Sequence, residues 1–508
     1  MKRIFGLLIL LMTFSIVCIG LSSCRENTPS STPTATTASP TDSTSEKLST
    51  SDTSEASTVI STSTETAKAT TTSTPLTTSE APVSTQAPIS EPTASEGLTF
   101  ELTAEGNAYT VIGIGTCSDT DIVIPKTHKE KPVTAIGENA FYGYNLVRSI
   151  TLPDGVVSIG DFAFCGCIAL ENVTFSDSVA TIGQNAFDSC FALKSITLPE
   201  SVVSIGSGAF IGCKALTDIS LPEGITKISS HMLLGCRALT SITLPAGITV
   251  IGEEAFGGCS GLIAITLPEG VTDIAEGAFS DCQSLTGITL PKSLARIGQK
   301  VFYHCTALSS ITVSEDNATF YAENNCVIRK DSKMLVVGCK SSVIPNGIVR
   351  IGPYAFYACA GLTAVTLPES VTAIGERAFQ NCNDLLSVTF SQNLTTIDLY
   401  AFGGCANLSE LALPDGVTTI GAGAFSDCIS LQSVTLPHTV TSIGTVAFYS
   451  CSRLPRIVIP ESVTYIGSSA FENCFSLTIY CEQESKPSNW STEWNFSGNR
   501  VVFGYQNA

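Results

Sequence analysis

Thirteen cysteines fall on one spacing. Cys167, Cys190, Cys213, Cys236, Cys259, Cys282 and Cys305 stand 23 residues apart, and so do Cys359, Cys382, Cys405, Cys428, Cys451 and Cys474. A thiol can act as a nucleophile, a metal ligand or half of a disulfide. A nucleophile needs a base beside it, and the four histidines (His128, His231, His304 and His438) are scattered over different repeats and read as surface residues. Zinc asks for a C-x-x-C pair or nearby His, and the pattern contains neither. Disulfides are permitted in an exported chain. However, members of one column point the same inward way, which suits stacking better than pairing, and thirteen is odd. The column therefore reads as reduced, buried structural cysteine: a small hydrophobe and weak donor to backbone carbonyls at a turn. Cys165 and the pair Cys326 and Cys339 lie outside it, and a bridge between the last two stays open.

Other chemistry is hard to find. There is no Gly-x-Ser-x-Gly, no His-Glu-x-x-His and no phosphate loop. Glu200, Glu223, Glu269 and Glu369 follow the proline column in turns, where solvated charges are ordinary. The expectation is a protein that is not an enzyme, with no cofactor and no metal. With 26 Lys and Arg against 45 Asp and Glu, the formal charge is -19. Nucleic acid is thus an unfavourable partner, since its phosphates need a basic surface.

What positions the cysteines is a repeat of 23. The Ile of an Ile-Gly-like step falls at 136, 159, 182, 205, 228, 251, 274 and 297, then at 351, 374, 397, 420, 443 and 466, which makes 14 units. Phe follows five residues on in every unit but one, where Leu233 takes its place. Within a unit, Ser149-Ile150-Thr151-Leu152 alternates like a half-buried strand. Pro153 stops it for want of an N–H. Val156 and Ile159 turn back inside, and Ala163-Phe164 to Cys167 is short enough for one helical turn. A fixed period of this length predicts a solenoid whose coils bury each other's apolar faces.

The unit LPxGVxxIGxxAFxGCxxLxxIT resembles the BspA-like class of bacterial leucine-rich repeats. The resemblance runs from 136 to 478 and implies an α/β-type leucine-rich-repeat solenoid, mostly short parallel strands with single helical turns. Residues 98–135, with Tyr109-Thr110-Val111 and Ile122-Val123-Ile124-Pro125, look like the family's N-terminal cap. Residues 479–508, with Trp490 and Trp494, look like its C-terminal cap. One repeat is enlarged: 313–345 holds two alternating runs around Lys330-Asp331-Ser332-Lys333 and reads as an inserted hairpin.

The first 97 residues are a different material. Lys2 and Arg3 precede an apolar run from Ile4 to Leu21, the layout of a secretory signal. Leu21-Ser22-Ser23-Cys24 resembles a lipobox, which implies a signal peptide over 1–23 and a diacylglyceryl group on Cys24. From 25 to 97, Ser and Thr fill 37 of 73 positions and Pro seven. Such a segment buries too little to offset its chain entropy, so 24–97 is expected to be a disordered tether, with a mean reach of roughly 45–50 Å.

The outward positions of the first strand form a polar, short-side-chained strip. One column runs Thr151, Thr174, Thr197, Ser220, Thr243, Thr266, Thr289, Thr312; the column two residues earlier includes Asp218, Glu410 and Arg456. Thr suits strands for structural reasons alone, but extended solenoid faces also bind partners. Thr151, Thr174, Thr197, Asp218, Thr243, Thr266, Thr289, Glu410 and Arg456 are the candidate contacts. The expected protein sits on the extracellular face of the envelope, reaches the membrane through a lipid anchor, and binds a surface protein or glycan of a host or neighbouring cell. Adhesion is what the resemblance implies. The alternative is a structural spacer with no specific ligand.

Overall fold

The computed structural model describes residues 93–506. The expected signal peptide 1–23, Cys24 and the tether as far as residue 92 lie outside the described residues. Backbone pairing begins at Ser95, whose N–H donates to the Val123 carbonyl (2.9 Å).

Neighbouring coils bond along up to three stretches. In the first, Ser149–Thr151 pairs in parallel with Asn172–Thr174, Ser195–Thr197 with Asp218–Ser220, and Gly287–Leu290 with Ser310–Val313. Their central residues Ile150, Ile196 and Ile288 are buried, and the flanking hydroxyls point out, as period-two alternation requires. In the second, Ser158–Ile159, Thr181–Ile182 and Ser204–Ile205 stack with Ile159 opposite Ile182 and Ile182 opposite Ile205. Each rung is a shift of one repeat. The glycine after this Ile is required by crowding: a Cβ at Gly206 would stand 2.4 Å from the Gln184 backbone nitrogen of the preceding coil.

The third stretch is the segment around Ala-Phe. The expected helical turn takes the form of consecutive tight turns, with Ala163, Cys165 and Cys167 N–H donating to the carbonyls of Gly160, Phe162 and Phe164. No α-helix occurs among the described residues, so the α/β-type solenoid is realised almost entirely in β form. Positive φ at Phe162 (55°) and Gly166 (76°) turns alternate N–H groups toward the next coil. Phe162, Phe164 and Gly166 thus donate to the carbonyls of Gln184, Ala186 and Asp188.

The side chains behind these ladders form columns. Phe141, Phe164, Phe187 and Phe210 stack nearly parallel with centroids 5.2, 5.2 and 5.4 Å apart, and Phe356 to Phe471 continue in the same way. Every column thiol but Cys359, which follows the meander, donates to the backbone carbonyl of the preceding coil's Phe position: Cys167 to Phe141 (3.1 Å), Cys190 to Phe164 (3.3 Å), Cys382 to Phe356 (3.0 Å). That is the role the sequence assigns to them.

The enlarged coil contains the expected hairpin and one strand more: Cys326–Arg329 and Met334–Val337 pair antiparallel around Lys330-Asp331-Ser332-Lys333, and Phe320–Glu323 extends them to a three-stranded meander. Asn324 and Asn325, at φ 51° and 61°, make the extra turn, which needs positive φ at both central residues. The last strand is itself a rung of the solenoid, since Leu335 pairs in parallel with Ile351. Cys326 and Cys339 carry no bridge.

Both ends are closed. Thr99–Leu102 pairs antiparallel with Tyr109–Gly113, which pairs in parallel with Lys131–Ile136; Phe100 stacks on His128 at 4.0 Å. At the other end Trp494 meets Phe471 edge-on, 6.1 Å away at 88°, and the Trp490 indole N–H donates to the Val463 carbonyl (3.2 Å).

Candidate functional site

The outward strip is built by the strand alternation that buries Ile150, Ile196 and Ile219. Thr174, Thr197, Asp218, Thr243, Thr266, Thr289, Glu410 and Arg456 are exposed and Thr151 is half-buried. Register fixes their neighbours: Thr151 lies opposite Thr174, Thr197 opposite Ser220, and Glu410 opposite Ser433. The hydroxyls of Thr289 and Thr312 bond to each other at 2.8 Å, so part of the strip's bonding capacity is spent within the sheet.

Only some of these residues come together. Thr266 and Thr289 line one hollow of about 340 Å³ with Ser310, Thr312 and Glu269. It lies where the column two residues before Thr266 and Thr289 shrinks to Ala264 and Gly287. The coils at 241–244 and 264–267 carry no strand, in contrast to Gly287–Leu290 and Ser310–Val313 just beyond. The Glu269 carboxylate is fixed at the hollow by accepting the Lys292 N–H (3.0 Å). Thr151, Thr174 and Thr197 lie far along the solenoid from it, as do Glu410 and Arg456.

Arg456 introduces a feature the strip columns do not announce. Its guanidinium lies over the Tyr480 ring at 5.5 Å, and Tyr480 packs against Tyr505 with centroids 4.7 Å apart. Tyr480 occupies the Thr position of the cap coil, opposite Val458. The strip therefore ends in a cationic, aromatic cluster. Tyr480 was visible in the sequence only as part of the cap, because there the period slips from 23 to 22.

Most of the column thiols are buried. Burial pushes Cys167, Cys259 and Cys382 up to about 12, so they stay protonated and shut away from reagents. No group of three metal-ligating side chains occurs among the described residues. His304 faces Asp281 at 2.7 Å and His231 faces Glu254 at 3.8 Å across neighbouring coils. These are contacts between side chains on the outside of the coils. The arrangement offers a long surface for contact.

Comparison with known proteins is consistent with this geometry. The family model described as a BspA type leucine rich repeat region matches residues 134–260, 234–330, 336–428 and 372–486. A leucine rich cell surface protein from Faecalibacterium prausnitzii is 30% identical with a TM-score of 0.54, covering 82% of this chain and 99% of its own. A leucine-rich repeat protein from Bacteroides ovatus is 29% identical with a TM-score of 0.54, covering 81% of this chain and 100% of its own. No curated protein matches the chain.

Proposed function

The chain belongs to the BspA-type leucine-rich-repeat family, whose solenoids are of the bacterial cell-surface type, and from this we propose that it is a displayed binding protein acting in adhesion or ligand capture without turnover. The observation that carries the reading is the strip itself: exposed, hydroxyl-rich, running the length of the solenoid and ending in Arg456, Tyr480 and Tyr505. Solenoids of this kind use extended faces for partners, and an aromatic, Arg-bearing terminus is the composition of binding hot spots. The partner is a surface protein or glycan of a host or neighbouring cell.

Display completes the proposal. Cys24 carries a lipid, residues 1–23 are removed, and the Ser/Thr-rich tether separates anchor from solenoid. Intact mass of the mature protein is expected to show a diacylglyceryl-modified Cys24 as first residue.

The binding reading is tested by probing protein and glycan arrays with the purified chain lacking residues 1–23. Selective capture that weakens in Tyr480→Ala or Thr289→Arg, with melting unchanged, supports it. No selective ligand, together with indifference to strip substitutions, favours the structural spacer instead.

A further inference from the structure

The charge of the chain reverses locally at the end of the strip. The last three strands there, Arg456–Ile459, Thr478–Cys481 and Arg500–Val502, run parallel and in register. Ile457 and Ile479 point into the core. Alternation therefore turns Arg456, Thr478 and Arg500 outward in one row and Val458, Tyr480 and Val502 in the next. None of the six is acidic, in a chain of charge -19. With strands about 4.8 Å apart, the two arginine Cα atoms stand about 10 Å from each other with Thr478 between them.

Three other arginines of the solenoid are neutralised: Arg148, Arg296 and Arg350 meet Glu171, Asp273 and Asp398 on other coils. No ion pair among the described residues includes Arg456 or Arg500. Arg456 has neutral partners instead, the Tyr480 ring and the Tyr505 hydroxyl, which accepts one of its N–H groups at 3.5 Å. They fix the head group and leave its charge uncompensated. Arg500 is exposed. Glu482, just past Tyr480, turns away: its carboxylate accepts the Glu461 N–H (2.9 Å) and faces His438 (3.5 Å). Glu484 lies against Gly504, past the last strand.

This layout discriminates among anions. A carboxylate accepts two parallel bonds from a guanidinium. A long polyanion would run from the arginines back onto the acidic solenoid, where Glu410 stands in the same row, opposite Ser433 and two rungs before Arg456. Charges farther away than about 8 Å are screened at physiological salt, so a compact monoanion feels mainly the arginines. Its neutral part then meets the Tyr480 and Tyr505 rings and the hydroxyls of Ser433 and Thr478, an apolar platform edged by hydroxyl groups. On the reading of the strip as a binding surface, we propose that this end of it binds an acidic sugar, a pyranose carrying one carboxylate. Arg456 and Arg500 hold the carboxylate, the tyrosine rings carry the sugar's apolar face, and Thr478 bonds one of its hydroxyls.

The test is a ligand-observed NMR titration of the full chain at physiological salt. Sialyllactose and a glucuronate-terminated disaccharide supply the sugar carboxylate from two sources; lactose, tetraglutamate and a heparin fragment are the comparisons. Either acidic sugar should saturate where lactose and tetraglutamate do not. Arg500→Gln should weaken it about fivefold, the loss of one solvent-screened charge, with melting unchanged. Lys227→Gln, the same charge change on the second stretch, should have no effect. Equal binding of lactose or tetraglutamate, tighter binding of heparin, or indifference to Arg500→Gln would overturn the proposal. Should Arg500→Gln fail to fold, the contrast of acidic sugar with lactose on the unaltered chain decides alone. An array ligand lost in Thr289→Arg and kept in Arg500→Gln would sustain the binding function while sinking this site.

Discussion

Val327 and Ile328 are neighbours in sequence and members of different hydrophobic cores. Val327 packs into the cluster that runs from the N-terminal cap to the meander, and Ile328 into the cluster that runs from there to Trp494. Both are fully buried. Their strand, Cys326–Arg329, is a plate with one face in each core, as a strand buried on both sides must be.

The two cores should therefore respond separately. Val327→Ala and Ile328→Ala each leave a cavity; the larger loss is expected at Ile328, about 2–4 kcal/mol. Hydrogen exchange followed by mass spectrometry should show Val327→Ala loosening the coils before the meander and Ile328→Ala those after it. Uniform loosening in both variants would show that the plate couples the halves into one cooperative unit.

The Cys259 thiol donates to the Leu233 carbonyl at 3.2 Å, although Leu233 is the one position lacking the Phe ring. The bond therefore belongs to the backbone, whatever the side chain above it. Cys259→Ala removes the donor and the sulfur volume, and is expected to cost about 1–3 kcal/mol in urea unfolding. Cys259→Ser keeps a donor and should cost less than Ala. A larger loss in Ser than in Ala would show that the site values apolarity over the bond.

Alkali should unfold the protein steeply. Burial raises the thiols of Cys259, Cys382 and Cys428 from 9.0 to about 12. Above pH 9 the unfolded chain releases these protons while the native state retains them, so the unfolded state binds fewer protons and stability falls as pH rises. The contribution is whole below pH 9 and is lost progressively up to pH 12, at up to about 1.4 kcal/mol per pH unit for each thiol. Urea midpoints measured from pH 7 to 10.5 should trace this slope. Replacing Cys259, Cys382 and Cys428 together by Ser should flatten it; an unchanged slope would assign alkaline loss to other groups.

Where Phe is missing, its neighbour compensates. The Ala-Phe of other coils is Met232-Leu233 here, and both residues are fully buried. Volume has moved from the Phe position to the Ala position. Leu233→Phe alone should overpack, at about 1–3 kcal/mol. Adding Met232→Ala should recover most of that loss, because the pair then matches the Ala255-Phe256 of the next coil. Thermal melts of the four members of the cycle measure the coupling; additive losses would mean the two sites do not share the space.

The columns were legible because they are repeated. Ile159, Phe164 and Cys167 each recur at one spacing, so weak signals add, and their burial follows from stacking alone. Even the thiol's carbonyl acceptor could be anticipated. Features that occur once were harder to read. The Phe320–Glu323 strand lacks a clean alternation, and its partner is set by the Asn324-Asn325 turn, so only the hairpin after it was read. On the strip, composition identified Thr266 and Thr289 as outward, but the hollow beside them comes from Ala264 and Gly287, where side chains are small or missing.

Trp494 stands perpendicular to Phe471, whereas Phe448 and Phe471 lie within 4° of parallel. A stack of like rings is a template that invites one more layer, from the same chain or from another molecule. The crosswise indole ends the translation by rotating it, so no further ring can be laid down in register. The stack thus owes its ending here to a quarter turn, and a chain cut before Trp490 is expected to expose the surface of a growing fibre.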